Sequence, residues 1–197
     1  MAVAGILLTG GASSRIGVDK ALIEVGGRRL VDLAAEKLQA ATAEAVEVGP
    51  GYSALRSVRE EPPGSGPLAG FAAGAAALAG AGCDLPILLL AVDMPLVGEA
   101  LLALLASQAD QAAAVIPVAG ARVQPLCAVY PAAAGRVARE LLAQGHGSMR
   151  ALLDAIPLRS LDEDAWRGVA AAEDFSDIDT PAALHAIRHR LEHAAAT

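Results

Sequence analysis

Aromatic side chains are nearly missing from this chain: its 197 residues include two Phe, two Tyr and one Trp. Hydrophobic residues nevertheless make up 54% of it. The interior therefore has to be built from Ala, Leu, Val and Ile, which fill space only where helices and strands approach closely. Positive charge is also scarce. Fifteen Lys and Arg stand against 22 Asp and Glu, for a formal net charge of -7, which argues against the clustered basic face expected of a nucleic-acid binder. A small anion held by local cations stays open. Cys83 and Cys127 are too far apart for metal-ligand or redox spacing, and are expected to be buried small hydrophobes in a reduced, cytoplasmic protein. The opening MAVAGILLTGG lacks the basic segment and the apolar length of a signal sequence. The apolar stretch from Leu85 to Ala106 carries Pro86, Asp93, Pro95 and Glu99, so a strand, a turn and a helix account for it better than a membrane span.

At this length one domain over 1–197 is the expectation, because two halves would each have a marginal core. Apolar runs of strand length alternate with segments of helical periodicity. Strands are predicted near 3–8, 45–48, 86–91, 113–117 and 126–130, and helices near 29–41, 67–79, 97–107, 132–143, 148–154 and 181–193. The unbroken apolar character of VAGILL and ILLLAV implies strands buried on both faces, as in a mostly parallel sheet. The fold class that follows is α/β, three-layered and Rossmann-like. Ligands in such folds bind beyond the carboxyl ends of the strands, which directs attention to the residues after Leu8 and Ala91.

Both places carry unusual residues. Strand one runs through Leu8 and Thr9 into a loop with Gly10, Gly11, Arg15, Gly17 and Lys20. Glycines let a backbone approach a ligand closely, and main-chain amides with two cations can hold triphosphate oxygens. The string is neither a Walker A sequence nor an alternating-glycine dinucleotide fingerprint. Ser13 and Ser14 lack a nucleophile-elbow context and fit hydrogen bonding to phosphate instead. After the 86–91 strand, Asp93 of Val92-Asp93-Met94-Pro95 offers a hard oxygen ligand at a strand end. Between these sites Gly66, Pro67 and Leu68 open a helix, and Gly49 follows the 45–48 strand. Further on, Gly147-Ser148-Met149-Arg150 begins another helix, whose N-terminus suits an anion.

Taken in order, the loop, the Asp-Met-Pro turn and the closing Asp177-Ile178-Asp179-Thr180-Pro181 resemble the nucleotidyltransferase superfamily that includes the molybdenum cofactor guanylyl- and cytidylyltransferases and many sugar-phosphate nucleotidyltransferases. Gly10 and Gly11, where many relatives carry Ala-Gly, together with Arg15, Gly17, Asp19 and Lys20, look like the guanylyl branch. The resemblance implies transfer of GMP from GTP to molybdopterin or the molybdenum cofactor, with Mg²⁺ on Asp93 and with Lys20 and Arg15 neutralising phosphate charge. It implies nucleotide contacts at Leu8, Thr9, Gly10, Gly11, Lys20, Gly49, Glu61, Gly66, Pro67, Leu68 and Asp93, and acceptor contacts at Gln124, Ser148 and Arg150. It also implies cofactor-delivery proteins as partners. The chain departs from the family pattern at Glu61, usually Asp, and at Gly147, commonly basic. A cytidylyl- or sugar-phosphate nucleotidyltransferase would share the loop and Asp93, and a nucleotide-binding regulator would share the loop alone. In the closing segment, Thr180 and Pro181 fit an N-cap and first helical turn, with Asp177 and Asp179 available to the metal. Two polar features are expected to be plain surface: His185, His189 and His193 along the last helix, and the acidic run Asp162–Asp164 as an exposed loop.

Overall fold

The computed structural model describes residues 1–10 and 19–194. Chain order begins with β1 (Ala4–Leu8), a short hairpin of β2 (Glu24–Val25) and β3 (Arg28–Arg29), α1 (Leu30–Ala41), β4 (Glu44–Val48) and β5 (Arg56–Val58). It continues with α2 (Pro67–Gly80), β6 (Ile87–Ala91), α3 (Glu99–Ser107), β7 (Ala114–Ala119), β8 (Arg122–Val123) and β9 (Cys127–Tyr130). The last elements are α4 (Ala134–Ala143), α5 (Met149–Ala155), β10 (Leu158–Leu161), α6 (Glu163–Trp166) and α7 (Pro181–Ala194).

The main sheet runs β10-β7-β9-β6-β1-β4-β5, with β8 paired to β7. Pairing is parallel except where β9 meets β6 and β7 and where β8 meets β7. This is the mostly parallel α/β sheet expected from VAGILL and ILLLAV, and both β1 and β6 are buried along their whole length. Alternation along the strands separates two cores. Ala4, Ile6 and Leu8 of β1 pack with Val46 and Val48 under α2, α4 and α5, while Leu7, Leu88 and Leu90 pack with α1, α3 and α7 on the other face. Helices thus cover both faces, giving three layers.

With few aromatics, close approach fills the interior. A Cβ on Gly74 of α2 would lie 2.7 Å from Cδ1 of Ile6, too near for any side chain, so this helix rests directly on β1 and β4. Phe71 and Tyr130, 4.9 Å between ring centroids, supply the bulk between α2 and β9.

The structure adds elements that the apolar pattern did not signal. β5 and β10 close the two edges of the sheet with mostly exposed residues, so neither carries a hydrophobic run. Asp162–Asp164, expected as a loop, instead starts α6: the Asp162 side chain caps it by accepting from Ala165 N, and Asp164 pairs with Arg167. An acidic first turn is favourable at a helix N-terminus, and this outweighs the loop tendency of the run. Cys127 is buried and its thiol pKa is pushed up to about 12, whereas Cys83 is half-buried, against the expectation of two core cysteines. Among the described residues, no helix is long and apolar enough to cross a membrane.

Candidate functional site

The register of the sheet brings its carboxyl ends level. Leu8 lies opposite both Val48 and Ala91, so the chain leaves β1, β4 and β6 along one edge, at Thr9, Gly49 and Val92. The pairing continues briefly: Thr9 N donates to Val48 O (3.0 Å) and Val92 N to Leu8 O (3.0 Å). Because β9 is antiparallel to β6, it begins at this edge, and Leu126 O accepts from Ala91 N at 2.9 Å. A cleft of about 300 Å³ opens here, lined by Leu8, Thr9, Gly10, Lys20, Gly66, Pro67 and Asp93 among others. A second cavity of about 330 Å³ adjoins it through Gly10 and includes Asp19, Gly49, Arg59 and Glu60.

Gly49 is required by this crowding. A Cβ there would fall 2.2 Å from Thr9 Oγ1 and 2.9 Å from Gly10 N, so any larger residue would push the first loop away from β4. Gly10 differs: a Cβ would reach nothing nearer than Glu60 Oε1 at 3.6 Å, and the missing side chain leaves open volume in the cleft. On the opposite wall stands the N-terminus of α2. Gly66 (φ +91°) precedes Pro67, no side chain among the described residues caps the helix, and no acidic residue lies in its first turn. The amides at the start of a 14-residue helix favour a negatively charged ligand.

Lys20 opens a short 3-10 turn that Asp19 caps by accepting from Ala21 N at 3.1 Å. Its ammonium donates to Asp93 Oδ2 at 2.9 Å and to Asp179 Oδ1 at 2.7 Å. Burial alone would lower the lysine pKa, but the hydrogen bonds and charges of the two carboxylates outweigh it and hold the value above the usual 10.5. Asp177 stands beside them, and burial together with the charges of Asp179 and Asp93 raises its carboxyl pKa.

The two acidic segments are physically tied. Ile178 N donates to Asp93 O at 3.0 Å, which seats the closing element against the turn after β6. That turn is held from the other side by Lys37 of α1, whose Nζ donates to Pro95 O (2.9 Å) and Val97 O (2.8 Å). Burial lowers the pKa of Lys37. The closing segment therefore has two roles at once: Thr180 Oγ1 caps α7 by accepting from Ala183 N (3.1 Å), while Asp179 faces the lysine.

Of the residues singled out in the sequence, Leu8, Thr9, Gly10, Lys20, Gly66, Pro67 and Asp93 line the main cleft and Gly49 the adjoining cavity. Leu68 is buried on the inner face of α2 and serves the core. Glu61 is exposed and lines neither cavity; the neighbouring Glu60 lines both and accepts from Gly64 N at 3.0 Å. Gln124, Ser148 and Arg150 do not converge on the cleft. Gln124 Nε2 bonds Arg122 O, Ser148 caps α5 through Ala151 N, and Arg150 is exposed and paired with Asp154. The loop before Ser148 still borders the site, since Gly147 O lies 3.8 Å from where a Cβ on Gly66 would be. Gly11, Ser13, Ser14, Arg15 and Gly17 lie outside the described residues.

Sequence reasoning missed Glu47, fully buried in β4 beside the cleft. Its two oxygens accept five hydrogen bonds. Burial would raise its pKa, but these donors reverse the shift and keep it below 4.5. The available signal was a charged residue at an inward position of an otherwise apolar strand end, followed by Gly-Pro-Gly.

Residues 5–162 match the family model described as the MobA-like NTP transferase domain. The chain is 30% identical over 196 residues to a probable molybdenum cofactor guanylyltransferase of Pelotomaculum thermopropionicum, covering 96% of this chain and 94% of that one. It is 34% identical over 193 residues to the molybdenum cofactor guanylyltransferase of Cereibacter sphaeroides, covering 89% and 95%. Its fold is shared with molybdopterin-guanine dinucleotide biosynthesis protein A of Archaeoglobus fulgidus, with a TM-score of 0.81, 21% identity, and coverage of 97% of this chain and all of that one.

Proposed function

This chain belongs to the MobA-like NTP transferase family, and on that premise we propose that it is a molybdenum cofactor guanylyltransferase, a single nucleotidyltransferase domain that transfers GMP from GTP to molybdopterin or its molybdenum form and releases pyrophosphate. The observation that carries the reading is the meeting of Lys20, Asp93 and Asp179 at the mouth of the cleft. A cation and two carboxylates at a strand-end edge, opposite an uncapped helix N-terminus, match the needs of phosphoryl chemistry.

The donor set fits a divalent cation. Asp93 and Asp179 already share one positive charge, the Lys20 ammonium, and carboxylate oxygens are the ligands that Mg²⁺ prefers. No group of three such side chains is placed to hold a metal ion among the described residues, so substrate phosphates and water would complete the shell, as is usual for this ion. When bound there, Mg²⁺ supplies charge neutralisation to the phosphate oxygens.

The chain's own groups carry the rest. Gly10 leaves room for the nucleoside, and Lys20, with Arg15, neutralises charge on the equatorial and leaving oxygens. The amides at the start of α2 hold further anionic oxygen. An acceptor phosphate oxygen forms the new bond to the α-phosphorus of GTP, the bond from that phosphorus to the bridging oxygen breaks, and pyrophosphate departs with the electron pair. The acceptor phosphate is already anionic near neutral pH, so no protein base has to remove a proton. Catalysis is then positioning and electrostatics.

Pyrophosphate release measured with GTP, CTP and ATP, each with molybdopterin and with a sugar phosphate, tests the reading. GTP with molybdopterin should be the productive pair. Faster turnover with CTP would assign the cytidylyl reaction instead, turnover with the sugar phosphate would change the acceptor, and nucleotide binding without any turnover would make the protein a regulator.

A further inference from the structure

Thr9 and Glu47 are the buried polar side chains among the described residues, and they are bonded to each other: Thr9 Oγ1 donates to Glu47 Oε1 at 2.7 Å. Glu47 lies in β4 on the face opposite Val46 and Val48, opposite Leu7 of β1 in the register. A carboxylate removed from water is costly unless its lone pairs are met, and here they are. Gly51 N and Tyr52 N (both 2.9 Å) join Thr9 on Oε1, while Ser53 N (2.7 Å) and Ser53 Oγ (2.6 Å) bind Oε2.

These donors come from the two segments that border the cleft. Thr9 leads into Gly10, and the 51–53 loop continues from Gly49 and Pro50, which line the adjoining cavity. The loop is also held from outside, where Arg29 Nη2 donates to Tyr52 O at 3.1 Å. A buried hydrophobe at position 47 would fill the strand but offer no link between the segments. A carboxylate makes both take their place relative to one point.

We propose that Glu47 is a positioning residue for the nucleotide: by binding Thr9 and the 51–53 loop together, it fixes the separation of Gly10 from Gly49 and Pro50, between which the nucleoside part of the substrate lies. The proposal rests on the nucleotide-transferring reading of the cleft. Glu47 touches no substrate and acts through the segments it holds.

The test is calorimetric titration of Mg-GTP into the wild type, Glu47→Gln, Ser53→Ala and Thr9→Val, with steady-state kinetics on each. In Glu47→Gln, an amide N–H would confront the donors that the carboxylate now accepts. GTP affinity should fall about tenfold and the GTP KM should rise in step, the size expected for losing charge-assisted hydrogen bonds. Both kcat and the acceptor KM should stay near wild type. Glu47→Gln and Thr9→Val combined should cost no more than the larger single change, since both cut the same link. Ser53→Ala removes one donor and leaves the strand intact, so it decides the matter if Glu47→Gln does not fold; a GTP affinity lowered about threefold is expected. Wild-type affinity in the folded variants, with only a lowered Tm, would make Glu47 a stability residue and overturn the proposal. Failure of the wild type to bind any nucleotide would overturn the functional reading and Glu47's role with it.

Discussion

Lys20 and Asp93 stand 73 positions apart in sequence and meet at 2.9 Å, one at the end of the glycine loop and the other at the end of β6. The aspartate follows the end of β6 and the lysine follows the loop after β1, and the parallel pairing of β1 with β6 brings those two strand ends to one edge. Lys20→Ala should therefore lower turnover by about a hundredfold or more, as expected when a charge-stabilising contact is removed from phosphoryl transfer. Arg15→Ala should lose less. Steady-state rates of both variants, with circular dichroism to verify folding, decide it; a wild-type rate for Lys20→Ala would remove the lysine from the site.

Asp93→Asn keeps the size of the side chain and removes the charge that a hard divalent cation prefers. Binding couplings are reciprocal, so Mg²⁺ should tighten GTP in the wild type far more than in this variant. Calorimetry with and without the ion gives the comparison. An undiminished metal effect in Asp93→Asn would leave Asp179 as the principal ligand and Asp93 as the partner of Lys20.

The collision of a Cβ at Gly49 with Thr9 Oγ1 and Gly10 N makes Gly49→Ala an overpacked variant. Its stability should fall by about 1–3 kcal/mol, and its nucleotide affinity should fall as well because Gly10 is displaced. Thermal unfolding and GTP titration read the two effects separately. Unchanged values would mean that β4 and the first loop can part without cost.

Acid should weaken the fold partly through Glu47. Its carboxyl titrates below the ordinary 4.5 in the folded protein because the surrounding donors outweigh burial. The stability it contributes is thus present above that ordinary value and is lost as pH falls through the depressed one. Thermal unfolding from pH 7 to pH 3 should show a steeper decline in the wild type than in Glu47→Gln. Parallel curves would mean that Glu47 does not contribute to the acid limb.

Much of this was legible from the residues. The apolar runs at Ala4–Leu8 and Ile87–Ala91 marked strands buried on both faces, and so located the edge where Lys20 and Asp93 meet. Edge strands such as Arg56–Val58 were not legible, because one side of an edge faces water and leaves no hydrophobic run to read. The choice between Glu60 and Glu61 turns on one residue of register, which composition does not encode. Asp179 looked like part of a cap, and the cap is real at Thr180; its contact with Lys20 depends on a pairing across 159 positions. Glu47 left only its charge at an inward strand position as a signal, and its role is clear only once the 51–53 loop has folded back over it.

The most direct test of the central claim follows the phosphorus. GTP labelled at the α-phosphate or at the γ-phosphate is incubated with the protein, Mg²⁺ and molybdopterin, and the products are separated. The account predicts that the α-label appears in a guanine dinucleotide of the acceptor and the γ-label in pyrophosphate, with both transfers slowed about a hundredfold or more in Lys20→Ala. An α-label retained in GTP or recovered as GDP, with no labelled acceptor, would contradict it.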